Sequence, residues 1–273
     1  YIGDIMLEIL KYIFLGIVQG LTEPLPISSS GHVFILKKIL DLKTTDLNFE
    51  IIVNFGSLLA ILLIYKDDLI RLIKNFFLYF KTKTEETRND FKYCLLIVFG
   101  SIPVGIVGFL FKDYIESKLS TNINIIGVSF LLTSLFLLLV SNMNGKRTDK
   151  DMNYKDALTV GLVQVVALVP GISRSGSTLI GGLFRKLDRE TALRYSFMLY
   201  IPVSVGTTLL GFKDLISTPN VHDIVLPYGL GFIASFVVSY FTLRWFIKLV
   251  KKGNLKYFSI YTLILGLLVL IFM

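Results

Sequence analysis

Glu23 and Arg174 are costly residues where they stand. Both interrupt long hydrophobic stretches, and a charge at the centre of a membrane helix costs about 2.5 to 3.5 kcal/mol on insertion scales. A structural ion pair or a water-filled cavity would offset that cost. Their neighbours point further. Ser28, Ser29, Ser30, Ser173, Ser175, Ser177 and Thr178 supply hydroxyls, while Gly31, Gly171 and Gly176 let backbone N–H groups come close to a ligand. A guanidinium beside N–H groups at a helix start is a physical recipe for holding phosphate. Close helix packing accounts for Gly181 and Gly182 but leaves Arg174 without a role.

Attack chemistry has its own candidates. His32 follows Ser29 by three residues, so on a helix they share a face and the hydroxyl comes within reach of the imidazole. Gln19 and Glu23 stand four apart and face the same turn. Gln19 can position a water or a phosphate, but it cannot act as a base.

These residues belong to a stretch that occurs twice. Gly16-Ile17-Val18-Gln19 is followed after seven residues by Ile27-Ser28-Ser29-Ser30-Gly31, and Gly161-Leu162-Val163-Gln164 after seven by Ile172-Ser173-Arg174-Ser175-Gly176. The copies differ chemically. Leu168 stands in the second where Glu23 stands in the first, so Gln164 has no acidic mate.

Composition says what medium these turns sit in. With 53% hydrophobic and 18% charged residues and a mean hydropathy of +0.69, the chain is expected to be a polytopic helical membrane protein. The net charge of +8 comes from short loops between apolar runs, as in cytoplasmic loops beside anionic lipid. No soluble basic domain is left to bind nucleic acid. Cys94 is the only cysteine, which excludes an internal disulfide, and no Cys/His cluster has metal-ligand spacing. The first hydrophobic run lacks a charged region and cleavage site before it, and is expected to stay in the protein.

Each polar turn lies between two short apolar arms. Residues 5–22 and 32–40 flank the first, and residues 157–169 and those up to 184 flank the second. Arms shorter than the roughly 20 residues of a comfortable span read as re-entrant hairpins. Longer apolar segments at 49–65, 91–111, 123–140, 193–212, 224–250 and 257–273 read as spans, with 68–80 as an interfacial or cytoplasmic helix. The expected fold class is therefore all-α: six transmembrane helices and two re-entrant hairpins in one membrane domain. Three spans after each hairpin turn the second copy over, making the halves, approximately 1–143 and 154–273, an inverted repeat.

Basic residues at 66–92, 146–155, 185–194 and 248–256 put those segments inside and both termini outside. Lys37, Lys38 and Lys43 run against this assignment, since it puts them outside.

The two turns resemble the signatures of the undecaprenyl-diphosphate phosphatase family, integral membrane enzymes of the bacitracin-resistance type. A (Glu/Gln)-x-x-x-Glu segment running into P-x-S-S-x-G-H matches Gln19 to Glu23 and Pro26 to His32, and P-G-x-S-R-S-x-x-T matches Pro170 to Thr178. The resemblance covers essentially the whole chain. It implies hydrolysis of undecaprenyl diphosphate to the monophosphate carrier used in peptidoglycan synthesis, in the bacterial cytoplasmic membrane, with the site open to the outer face. It implies Glu23, Ser29, His32 and Arg174 as the catalytic residues, with Gln19, Ser28, Ser173, Ser175 and Thr178 on the phosphate. It also implies help from a divalent cation such as Mg²⁺ or Ca²⁺, with Glu23 as its ligand. Gln19 stands where other members carry a second acid. A homodimer is compatible with this reading.

In the expected reaction Arg174 and the second turn hold the diphosphate while Ser29 attacks, with His32 or Glu23 taking its proton. Direct attack by water is the alternative route. A different class stays open as well: paired hairpins in an inverted repeat are transporter architecture, and an anionic polyprenyl lipid can be flipped rather than hydrolysed.

Overall fold

The computed structural model describes residues 2–42, 47–111, 114–115, 122–216 and 221–273. Among these there is no β-strand, only one isolated bridge between Arg147 and Leu187. The first part of the chain forms α1 (Ile2–Thr22), α2 (Ser29–Ile39), α3 (Leu47–Ile64), α4 (Lys66–Leu78), α5 (Glu85–Leu110) and α6 (Ile123–Val140). The second part forms α7 (Tyr154–Val166), α8 (Arg174–Phe184), α9 (Arg189–Ile216), α10 (Val221–Lys251) and α11 (Lys256–Phe272). The expected all-α class holds.

Polarity is arranged inside out. Val98, Ile106, Phe109, Leu135, Leu139, Leu209 and Phe241 are exposed, whereas Ser57, Ser134, Ser235, Ser239, Ser259 and Thr262 are buried. A soluble protein reverses this pattern. The buried hydroxyls join helices: Ser134 Oγ donates to the Ser259 carbonyl at 2.7 Å across α6 and α11, and Ser239 Oγ donates to Ser57 Oγ at 2.9 Å across α10 and α3. Small and hydroxylated residues at helix contacts are how membrane helices associate when apolar burial gives no preference for protein over lipid.

By length and composition, Glu85–Leu110, Ile123–Val140 and Val225–Lys251 can each cross a membrane. The pair α3 and α4 qualifies only when taken together across a 74° bend after Ile64, and α11 is apolar but shorter, at 17 residues. Helix α9 carries Arg189, Glu190 and Arg194 in its first two turns, ahead of a mainly apolar run. The segment expected to be an interfacial helix is α4, which opens on Lys66, Asp67 and Asp68.

Two glycine crossings set the packing of the short arms. A Cβ on Gly16 of α1 would sit 2.2 Å from the Gly231 carbonyl oxygen of α10, and one on Gly161 of α7 would sit 2.3 Å from that of Gly100 in α5. No side chain fits at either contact. Gly181 and Gly182 also fill close contacts, against Val160 and Ala192. The base of the second hairpin is tied by charge. Asp156, fully buried, accepts from Arg147 Nη1 and Nη2 at 2.9 and 2.6 Å and from Arg185 Nε at 2.7 Å.

Candidate active site

Both turns are built the same way. Ser28 caps α2 by accepting from the Gly31 amide at 3.3 Å, and Ser173 caps α8 by accepting from the Gly176 amide at 3.1 Å. Each cap satisfies one amide of a helix start and leaves others of the first turn open to a ligand. Ser28 holds its cap in the left-handed region at φ 68°, which is strained for a residue with a side chain. Gly171 holds φ 88° without that strain.

The two turns touch. Ser175 Oγ donates to the Leu25 carbonyl at 2.9 Å, and a Cβ on Gly31 would come within 3.2 Å of Gly171 Cα. Contact at this distance between residues 140 positions apart makes one polar centre out of two turns.

Glu23 is the hub of that centre. It is buried, and one carboxylate oxygen pairs with Arg174 Nη2. The other accepts from Ser29 Oγ and, at 3.0 Å, from Gln19 Nε2. Arg174 is fixed from two further sides. Its Nη1 donates to Ser204 Oγ at 3.0 Å, and its guanidinium lies 4.0 Å from the centre of the Tyr200 ring, within cation–π range. Tyr200 is itself held by donating to Asn54 Oδ1 at 2.5 Å. A hydroxyl bonded to a carboxylate beside a positioned guanidinium can deliver a nucleophile to a phosphoryl group and hold that group's charge.

The centre lines a cavity of about 780 Å³. Glu23, Ser28, Ser29, Ser173, Arg174 and Ser175 are in its wall, together with Asn54, Gln164, Leu168 and Phe109. Three expected site residues stand behind that wall. Gln19 reaches the centre through Glu23. Thr178 Oγ1 turns away, to the Arg174 carbonyl at 3.0 Å and to Ser196 Oγ.

His32 departs from the expected pairing with Ser29. One ring nitrogen, Nδ1, lies 2.7 Å from the Ser28 carbonyl and Nε2 lies 2.7 Å from Tyr261 Oη. Its ring stacks on Tyr261, with Phe130 edge-on. A carbonyl only accepts, so in the neutral ring Nδ1 carries the proton and Nε2 accepts from Tyr261. Three-residue spacing put the two residues on neighbouring faces. The aromatic side chains of α6 and α11 then drew the imidazole out of the polar centre.

Ser204, Tyr200 and Asn54 were missed from the sequence. Polar residues four apart in α9 around Pro202, and Asn54 in the middle of the mainly apolar α3, were the available signals.

The helices and the polar centre define the class: an all-helical membrane protein with a buried cluster of charged and hydroxylated side chains at the meeting point of two helix–turn–helix units. The chain belongs to the family described as bacitracin resistance protein BacA, which it matches over residues 12–268. It is 49% identical over 265 residues to undecaprenyl-diphosphatase 3 of Bacillus anthracis, covering 97% of this chain and 98% of that protein. Undecaprenyl-diphosphatase 1 of Bacillus licheniformis is 45% identical over 266 residues, covering 97% of this chain and 98% of its own length. Undecaprenyl-diphosphatase of Oceanobacillus iheyensis is 44% identical over 266 residues, covering 97% of each chain.

Proposed function

We propose that this protein hydrolyses undecaprenyl diphosphate to undecaprenyl phosphate and inorganic phosphate, returning the lipid carrier to cell-wall synthesis. Family membership and the activity for which its relatives are named support the substrate and the reaction. The observation that carries the mechanism is Ser29 Oγ donating to the Glu23 carboxylate, whose second oxygen pairs with Arg174, in a cavity wall.

Ser29 Oγ attacks the terminal phosphorus in line while its proton passes to Glu23. The bridging P–O bond breaks and the lipid monophosphate leaves with the electron pair. Water then attacks the phosphoserine, returning the proton to Ser29 and releasing inorganic phosphate. Arg174, the open amides of the first turn of α8, Ser173 and Ser175 offset charge on the transferred group, normally the largest contribution in phosphoryl transfer. His32 acts through Ser28, steadying the strained cap that aims Ser29.

Glu23 is the centre's one carboxylate, and no group of three or more His, Cys, Asp and Glu side chains that could hold a metal ion occurs among the described residues. A cation held by protein ligands alone does not fit. One ligated chiefly by the substrate's phosphate oxygens, with Glu23 as its ligand from the chain, does. It would neutralise phosphate charge.

We read the membrane arrangement as six spans and two re-entrant hairpins entering from opposite faces, with halves 1–143 and 154–273 as an inverted repeat. The repeated glycine contact supports this: Gly16 and Gly161 hold the same place in the two copies, and each meets a glycine of a long helix. Matching caps at Ser28 and Ser173 add to it. The cavity wall includes Asn48 and Glu50 at the start of α3, Phe109 at the end of α5 and Gly211 near the end of α9. Charge bias assigns those ends to the outer face of the cytoplasmic membrane. Lys37, which ran against that bias, is paired with Glu50 at 2.7 Å.

Purified protein in detergent should release phosphate from undecaprenyl diphosphate, with loss of at least about 1,000-fold in Arg174→Ala. Lipid movement in proteoliposomes with no phosphate release would replace this reading with the transporter. Labelled phosphate should be trapped on Ser29, and a Ser29→Ala variant keeping most activity would leave attack to water.

A further inference from the structure

Five buried side-chain polar atoms lack a hydrogen-bond partner among the described residues, and two of them are the two ends of one carboxamide, Gln164. That residue is fully buried, yet it belongs to the cavity wall that carries Glu23, Ser29 and Arg174. Buried polar groups in folded proteins are nearly always paired, and each exception calls for an explanation.

Among the described residues the surroundings supply no partner. Gln164 holds the place in the second copy that Gln19 holds in the first. Gln19 donates to Glu23, whereas the counterpart of Glu23 is Leu168, which has nothing to accept with. Ser101, from the α5 side of the same wall, donates its proton to the Ile97 carbonyl at 2.8 Å and makes no bond with either end of the carboxamide. One turn earlier Gly161 packs α7 directly against α5 at Gly100, where a Cβ would lie 2.3 Å from the carbonyl oxygen. The missing partner must then come from what fills the cavity. A prenyl tail brings no polar atom. A diphosphate brings acceptor oxygens.

We infer that Gln164 is a further substrate-contact residue, whose Nε2 donates to an oxygen of the bound diphosphate from the α7 wall while Arg174 holds it from α8. The inference rests on the reaction proposed above. Inside a closed site, a group built to hydrogen-bond its substrate is unsatisfied until that substrate arrives, so it contributes to binding rather than to folding.

Gln164→Leu tests this, because it removes both polar atoms at similar volume. Its thermal midpoint in detergent without ligand should equal or exceed that of the parent protein, while KM for undecaprenyl diphosphate rises about tenfold or more. Inorganic pyrophosphate should raise the midpoint of the parent protein more than that of the variant. A lowered midpoint with unchanged KM and kcat would make Gln164 a structural residue paired through water, and would overturn the inference. If Gln164→Leu does not fold, Gln164→Asn, which withdraws the amide by one methylene, should still raise KM, and an unchanged value would overturn it. If the parent protein releases no phosphate, the proposed reaction falls and takes this contact with it. Activity in the parent with unaltered kinetics in both variants removes the contact alone.

Discussion

At the scale of single residues, Glu23 is asked to do two things that pull apart. Its pairing with Arg174 stabilises two charges in an apolar setting, and in the proposed reaction its bond to Ser29 makes it the base. Glu23→Gln keeps shape and hydrogen bonding but removes the charge, so kcat should fall at least about 100-fold. Phosphate release under saturating substrate reads this directly. Tyr200 lies against Arg174 as a ring and bonds Asn54 as a hydroxyl. A cation–π contact of about 0.5–2 kcal/mol predicts a roughly 3- to 30-fold rise in KM for Tyr200→Ala, with Tyr200→Phe close to the parent. In the proposed mechanism His32 acts one step back from the chemistry, so Tyr261→Phe, which removes one hydrogen bond of about 1 kcal/mol, should lower kcat by no more than about tenfold. A larger loss with a shifted pH profile would return His32 to the role of base.

At the scale of elements, stability depends on how closely the short arms approach their long neighbours. Adding a methyl at Gly16 or Gly161 gains up to about 1 kcal/mol of helix propensity but drives a Cβ into a backbone carbonyl at 2.2 or 2.3 Å. Backbone in a packed helix does not yield cheaply, and overpacking costs about 1–3 kcal/mol. Thermal unfolding in detergent should therefore show Gly16→Ala and Gly161→Ala destabilised. Gly105→Ala and Gly206→Ala, with nothing within 4 Å of the added atom, should be neutral or slightly stabilised. The second hairpin has its own fastening in Asp156. Removing that carboxylate strands Arg147 and Arg185 and unties the capping box of α7. Because both arginines are partly exposed, the cost of Asp156→Ala in the same measurement should be about 2 kcal/mol rather than the full value for a buried pair.

At the scale of the whole molecule, the proposed inverted arrangement has the two turns enter from opposite faces of the membrane and meet in the polar centre. Asp41, exposed after α2, and Lys150, exposed before α7, then lie on opposite faces of the membrane. With Cys94 replaced by Ser, a single cysteine at position 41 should react with a membrane-impermeant maleimide in intact cells, and one at position 150 only after permeabilisation. Labelling of both from the same side would break the inverted arrangement.

The sequence by itself determined the membrane class, the positions of the helices and the two polar turns that the fold brings together. Those follow from local properties: hydropathy, run length, Pro and Gly at breaks, and charged residues where charge is expensive. Which hydroxyl meets which base was decided elsewhere. Spacing put His32 within reach of Ser29, but helix faces are broad, and only the packing of α6 and α11 turned the imidazole toward Tyr261. Tyr200, Ser204 and Asn54 reach the centre from α9 and α3, which no local pattern links to residue 174. Gln164 was visible as a repeat mate without an acid. That its carboxamide is buried in the cavity wall with no partner among the described residues depends on contacts between α7 and α5, and those belong to the tertiary structure alone.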